Sequence, residues 1–148
     1  MTSTNSKGND EAQIREIIEG RVKAIVAKDV DAAMAIHAQE VVMFDVLNPL
    51  RYRGAATVRD RTSTWFSSFQ GPIGYEVRDL TITTSESVAF CHFLYQVRGT
   101  TKDGKQIEMW VRATMCFHKT DGKWLVAHEH DSVPFDPETG RAALDLKP

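Results

Sequence analysis

Apolar residues recur at a helical spacing in the first third of the chain and at a spacing of two in the remainder. Ile14, Ile17, Ile18, Val22 and Ile25 form one stripe on a 3.6-residue wheel. They predict a helix that Asn9-Asp10-Glu11 can cap and that runs to about Lys28. Arg21 falls in the middle of this stripe, where a cation is out of place. Asp29-Val30-Asp31 breaks and recaps the chain, and Ala32 to Ala38 read as a second, short helix. Val41-Val42-Met43-Phe44-Asp45-Val46 is a β-type run carrying a single carboxylate. Asn48-Pro49 turns the chain, and Gly54 precedes a third helix from about Ala55 to Phe69. Val58, Trp65, Phe66 and Phe69 share a face of that helix, and Gly71-Pro72 stops it. Tyr75–Thr83, Val88–Thr100, Gln106–His118 and Lys123–Val133 then read as four strands, with hairpins at Asp103-Gly104 and Asp121-Gly122.

Helices first and a long, curved, mostly antiparallel sheet afterwards is an α+β layout. The predicted organisation is a disordered polar tail over 1–8, a single domain over 9–134 and a second tail over 135–148. Along Gln106–His118 one face carries Ile107, Met109, Val111, Ala113, Met115 and Phe117; the other carries Trp110, Arg112, Thr114 and Cys116. A strand apolar on both faces is buried on both, and the simplest cover for the second face is another copy of the chain. A homodimer is expected.

Composition narrows the function classes. The chain has 148 residues, and 18 basic against 20 acidic side chains give a formal charge of −2. Near balance of charge argues against a broad polyphosphate-binding face, so nucleic acid is not an expected partner. No apolar run approaches the ~20 residues of a membrane span, and the first residues lack the apolar centre of a signal peptide. No membrane association and a cytoplasmic location are expected. Cys91 and Cys116 lie in apolar strand-like runs and read as small hydrophobes. Phosphate-binding loop, zinc-protease helix and serine-nucleophile elbow are all missing from the sequence. His128 and His130 share a strand face but have no apparent third ligand, and His92 reads as a core histidine. No metal and no cofactor are expected.

Three features taken together resemble a known superfamily: the Asp29-Val30-Asp31 break, the Phe44-Asp45 strand leading to Arg53-Gly54, and the ending Asp121-Gly122-Lys123-Trp124 with His128-Glu129-His130-Asp131-Ser132. With the helix-then-sheet order, they are similar to the nuclear transport factor 2-like superfamily, in its SnoaL-like and ketosteroid-isomerase-like branch, over about residues 10–134. The resemblance implies a cone-shaped roll, in which N-terminal helices pack against the curved sheet and leave a pocket at the open end. It also implies a carboxylate base at Asp45. The isomerases of the superfamily further need a helix-one tyrosine and a protonated aspartic acid on a central strand, a site that serves as a standard example of pKa tuning. Here Arg21 stands at the tyrosine position and Ala113 or Thr114 at the strand position. That acid pair is not reproduced, and the classical steroid isomerisation is not expected.

Asp45 is the candidate catalytic residue. In a mostly nonpolar cavity desolvation would strengthen it as a base; alternatively it pairs with a nearby arginine and holds the strand end. Arg21 either snorkels to the helix end or enters the pocket to neutralise Asp45 or bind a ligand. Arg112 needs a partner, because an unpaired buried cation is too costly to keep. A two-residue turn at Asp121-Gly122 would set Asp131 opposite it, and a bulged three-residue turn would set His130 there. The bulged turn is favoured because it puts Met109, Ala113 and Met115 on one interior face with Leu125, Ala127 and Asp131. Arg112 with His130 then forms a structural pair or interface, and Asp131 sits at the pocket rim. Arg21, Trp65, Phe66, Met109, Ala113 and Asp131 are the expected pocket residues. Trp65 and Phe66 are core first, but suit a flat apolar ligand.

The expected function is binding of an apolar, carbonyl-bearing or cyclic small molecule. Catalysis would be of a cofactor-independent isomerase, cyclase or dehydratase type with Asp45 as general base. The rival expectations are a non-catalytic binding or oligomerising domain with a structural Asp45, and epoxide opening by an Arg-Asp pair, which needs Asp131 as a second acid.

Overall fold

In a computed structural model, which describes residues 3–148, the helical stripe of the first segment is the inner face of α1 (Ser3–Ala27). Ile14, Ile18 and Ile25 are fully buried. Of the tail expected over 1–8, residues 1 and 2 lie outside the described residues and the rest is helical, continuing α1 despite Gly8. Asp10 is therefore not a cap. Its carboxylate accepts from Lys119 Nζ at 2.9 Å and Trp124 Nε1 at 3.1 Å, which staples α1 to the β5–β6 hairpin. Those bonds hold its carboxyl below the usual range against the opposing effect of burial. Asp10→Ala leaves the buried indole N–H unpaired and is expected to lower stability by about 2–3 kcal/mol, read from the urea midpoint at constant m.

Lys28, in the left-handed region at φ 56°, ends α1. Asp29 caps α2 (Val30–Met34) by accepting from Ala32 N at 3.0 Å. The helix is shorter than expected because β1 (His37–Phe44) already begins at His37. β2 (Tyr52–Arg53) returns along β1, with Val42 opposite Arg53. Gly54 follows at φ 88°, a conformation costly for any other residue, and its N–H donates to Val41 O at 2.7 Å. This sharp exit from the sheet aims α3 (Ala55–Ser67) back across the cone mouth.

β3 (Phe69–Thr84), β4 (Val88–Thr101), β5 (Gln106–Thr120) and β6 (Lys123–Ser132) complete one open, mixed six-stranded sheet in the order β2-β1-β6-β5-β4-β3. Only β1 and β6 run parallel. The α+β cone of the sequence reading is the observed architecture. β3 starts well before Tyr75: Gly71-Pro72, expected to end a helix, lies within a sheet-edge strand. The ladder skips there from Gln70–Thr100 to Gly74–Arg98, and a missing N–H is tolerated.

The β5–β6 register matches neither alternative considered for Arg112. Asp121 and Gly122, at φ 52° and 76°, form a two-residue turn that pairs Thr120 with Lys123. A bulge at Ala127 then shifts the ladder from Phe117–Val126 to Cys116–His128. Arg112 stands opposite Ser132 and Ala113 opposite Asp131. The extra residue exchanges the faces of β6: Trp124 and Val126 point inward before it, Glu129 and Asp131 after it, while Leu125 and Ala127 lie half-buried.

No helix among the described residues is long and apolar enough to cross a membrane. After β6, backbone hydrogen bonds tie residues 134–143 to one another, with Phe135 bridged to Ala142.

Candidate functional site

Alternation along β1 and β6 sets the site. Phe44 pairs with His130, and both side chains leave the sheet on its outer face. The next inward positions on these neighbouring strands are Asp45 and Asp131, with Glu129 two residues before Asp131 on the same face. Three carboxyl groups thus converge inside the cone, and two guanidiniums meet them.

Asp45 sits on the floor of a groove of about 590 Å³ between α3 and the loop after β1. Its Oδ2 accepts from Arg61 Nε at 2.7 Å and its Oδ1 from the Val46 N–H at 2.7 Å. The side chain is 4% exposed and that of Arg61 13%. Arg61 lies 5.2 Å from the centre of the Trp65 ring, so pair and indole form one wall. Tyr52, Asp60, Thr64 and Leu47 contribute to the rest of the lining. Of the three guanidinium nitrogens of Arg61, only Nε makes a hydrogen bond to another described residue.

Arg21 points inward, as one expectation had it, but its partner is Glu129, with Met115 Sδ 2.9 Å from Nη1. Burial alone would push the Glu129 carboxyl up. The Arg21 charge and hydrogen bond outweigh it and hold Glu129 below the usual range. The Glu129 charge in turn keeps Arg21 protonated against its own desolvation.

Asp131 is left without a cation. It is 3% exposed, accepts from Tyr95 Oη at 3.0 Å, and has Oδ1 buried without a partner. Desolvation first and the neighbouring Glu129 charge second push its carboxyl well above the usual range and favour its neutral form. Tyr75 stacks on Tyr95 with ring centres 4.8 Å apart, and burial raises both phenols. The Tyr75 hydroxyl is likewise buried and unpartnered. A buried carboxyl and two buried phenols thus stand near the ion pairs, groups of the same chemical types as those the sequence reading found missing at Arg21 and Ala113.

Arg21 and Asp131 are inward but lie outside the lining of the Asp45 groove, so Asp131 is a buried group and not one at the pocket rim, and the other expected pocket residues are dispersed. Trp65 lines the groove, whereas Phe66 is buried in the core behind it. Met109 and Ala113 face inward on β5, half-buried and buried, away from the groove lining. Arg112 is exposed and donates to Ser132 Oγ at 3.1 Å rather than pairing with His130, a consequence of the bulge. His130 and His92 are exposed on the outer sheet face, so His92 is not a core histidine. No group of three or more His, Cys, Asp or Glu among the described residues is placed to hold a metal. Three site residues escaped the sequence reading. Arg61 lies one helical turn before Trp65 on the same face, a signal available beforehand. Glu129 and Tyr95 carried none, since their facing depends on strand register.

A family model described as SnoaL-like domain matches residues 14–136. An NTF2-like protein of unknown function from Pseudomonas putida KT2440 is 31% identical, with a TM-score of 0.88 over 95% of this chain and 98% of its own. An NTF2-like superfamily protein from Salmonella enterica serovar Typhimurium shares the fold at 15% identity, with a TM-score of 0.77 over 92% of this chain and 99% of its own. So does a protein from Streptomyces avermitilis, provisionally named a dehydratase of the NTF2-like family, at 14% identity and a TM-score of 0.75 over 85% and 97%. No curated protein sequence matches the chain. Model coverage of most of the chain, and a 31% identical structure aligned over nearly its full length, show that this chain belongs to the SnoaL-like family of the NTF2-like superfamily.

Proposed function

We propose that the chain is a cofactor-free acid–base enzyme of the isomerase or lyase type, acting on a small cyclic or carbonyl-bearing molecule held against Trp65. Asp131 donates a proton to the developing oxyanion or leaving oxygen. Asp45 takes the proton from carbon or orients a water, with Arg61 fixing its position. The observation that carries this reading is Asp131: a buried carboxylic acid without a cation beside two carboxylates that each have one. Neighbouring carboxyl groups whose surroundings shift them in opposite directions, as Glu129 and Asp131 are shifted here, are the usual ground for an acid–base division of labour, and positioned proton transfer contributes typically 10²–10⁴-fold. The dehydratase name of one structural neighbour accords with this reaction class.

A second reading has its own support. The Arg61 pairing satisfies Asp45 on one side, which suits a binding domain with a structural ion pair. Carbon-13 NMR of the Asp131 carboxyl separates the first premise: a signal still protonated at pH 7 is expected, and full ionisation by pH 5 sinks the enzyme reading. Deuterium exchange into 2-cyclohexenone, with 2-naphthol binding followed by fluorescence, then divides the two. Asp45→Asn should lower exchange by about 10²-fold or more while 2-naphthol still binds. Its stability should fall by only about 1–2 kcal/mol in thermal melts, because Arg61 keeps access to groove water. A parent protein that binds the naphthol and exchanges no deuterium is a binding domain.

A further inference from the structure

Five of the large hydrophobic side chains that stand exposed belong to two segments leaving the same end of the sheet. Leu47 and Leu50 lie in the loop after β1, at 59% and 92% exposure; Phe135, Leu144 and Leu146 lie in the arm after β6. β1 and β6 are parallel neighbours, so loop and arm emerge side by side. The arm is not an unstructured end. Asp136 N donates to Arg141 O at 2.8 Å, Gly140 N to Asp136 O at 2.7 Å and Ala143 N to Pro134 O at 2.7 Å. Yet every residue from Phe135 onward except Ala143 is exposed. An isolated hairpin is marginal in water, and ordering one costs about 1–2 kcal/mol per residue in backbone entropy. An arm of this form calls for a surface to lie on.

Such a surface exists on the outer face of the sheet edge. A groove of about 490 Å³ runs between β1 and β2 and is lined by Val42, Phe44, Arg51, Arg53 and Gly54, with Glu40 at one wall. Glu40 is 3.2 Å from His118, whereas Arg51 and Arg53 are exposed and, among the described residues, make no ion pair. The floor is apolar and the rim basic. The arm has the complementary pattern, an acid beside each large apolar group: Phe135-Asp136 and Leu144-Asp145-Leu146. The groove is also continuous with Phe44, His128 and His130, whose rings pack edge to face on the outer sheet surface.

We infer that the chain forms a dimer with exchanged arms, in which residues 135–146 of one copy lie in the Val42–Phe44 groove of a second copy and place Asp136 and Asp145 on its Arg51 and Arg53. Leu47 belongs both to the loop beside this seat and to the lining of the Asp45 groove, so the seated arm borders the mouth of the site.

Charge reversal tests this in the full chain, with circular dichroism verifying that each variant folds; Asp136 also accepts from Glu138 N at 2.9 Å, so the rescue on mixing separates loss of charge from loss of that turn. Arg51→Glu/Arg53→Glu has an acidic seat and an acidic arm; Asp136→Lys/Asp145→Lys has a basic seat and a basic arm. Sedimentation velocity should show the parent as a dimer and each variant, alone, with a dimer constant about 100-fold weaker. Mixed in equal amounts, the two variants should form a heterodimer, since each arm then meets an opposite seat. Phe135→Ser/Leu146→Ser should dissociate the dimer without rescue by either variant. A monomeric parent, single variants that keep the parent's mass, or a mixture that stays monomeric would each overturn the exchange.

Discussion

Arg21→Ala is expected to lower the unfolding free energy by about 3–5 kcal/mol at neutral pH, the largest loss for any single truncation in the site. Glu129 is 2% exposed and relies on Arg21 for its counter-charge. Without it, a carboxylate would remain in a dry interior next to Asp131, and Glu129 would take up a proton instead. The pH dependence shows this directly. The Glu129 carboxyl is held below its unfolded value, so its contribution is present above about pH 4.3 and is lost as pH falls through the folded value. Arg21→Ala should remove that acid-side loss as well as lowering the plateau, both visible in urea titrations from pH 3 to 7. Arg21→Met/Glu129→Leu removes both charges together and should return most of the stability, because replacing a buried pair by apolar groups is often neutral or better. A single-variant loss below about 1 kcal/mol would mean that water reaches the pair.

The periodicities of the chain were sufficient for the fold. The Ile14–Ile25 stripe is the buried face of α1, and the period-two runs are β4, β5 and β6 with small shifts at their ends. The inward position of Asp45 was legible for the same reason, since it continues the alternation of Val41 and Met43. The pairing of the charges was not. Whether Glu129 faces Arg21 or solvent depends on one additional residue at Ala127, and a bulge is a local backbone event with no compositional mark. Read without the bulge, β6 turns His128 and His130 inward and Glu129 and Asp131 out. Arg21 then has no acid to meet except Asp45. The bulge therefore sets which carboxyls enter the cone, and with them which acid lacks a cation.

Asp131→Asn should separate chemistry from stability more cleanly than any other substitution in this site. An amide keeps the shape and accepts the Tyr95 hydroxyl bond as the acid does, but has no acidic proton to give. In the parent, the Asp131 carboxyl is raised above its unfolded value of about 3.9, so the folded state holds a proton that the unfolded chain releases. Stability from this group is full below that value, declines as pH rises towards the folded value, and is gone above it. The variant has no such group, so its stability should stay level across the same interval and exceed that of the parent at pH 8–9, as measured by urea midpoints. Deuterium exchange should meanwhile drop by about 10²–10⁴-fold at every pH. A gain in alkaline stability with exchange unchanged would make Asp131 a buried acid with no part in catalysis. A variant less stable than the parent at pH 9 would mean that Asp131 is ionised in the folded protein, and proton donation would then have to come from Tyr75 or Tyr95.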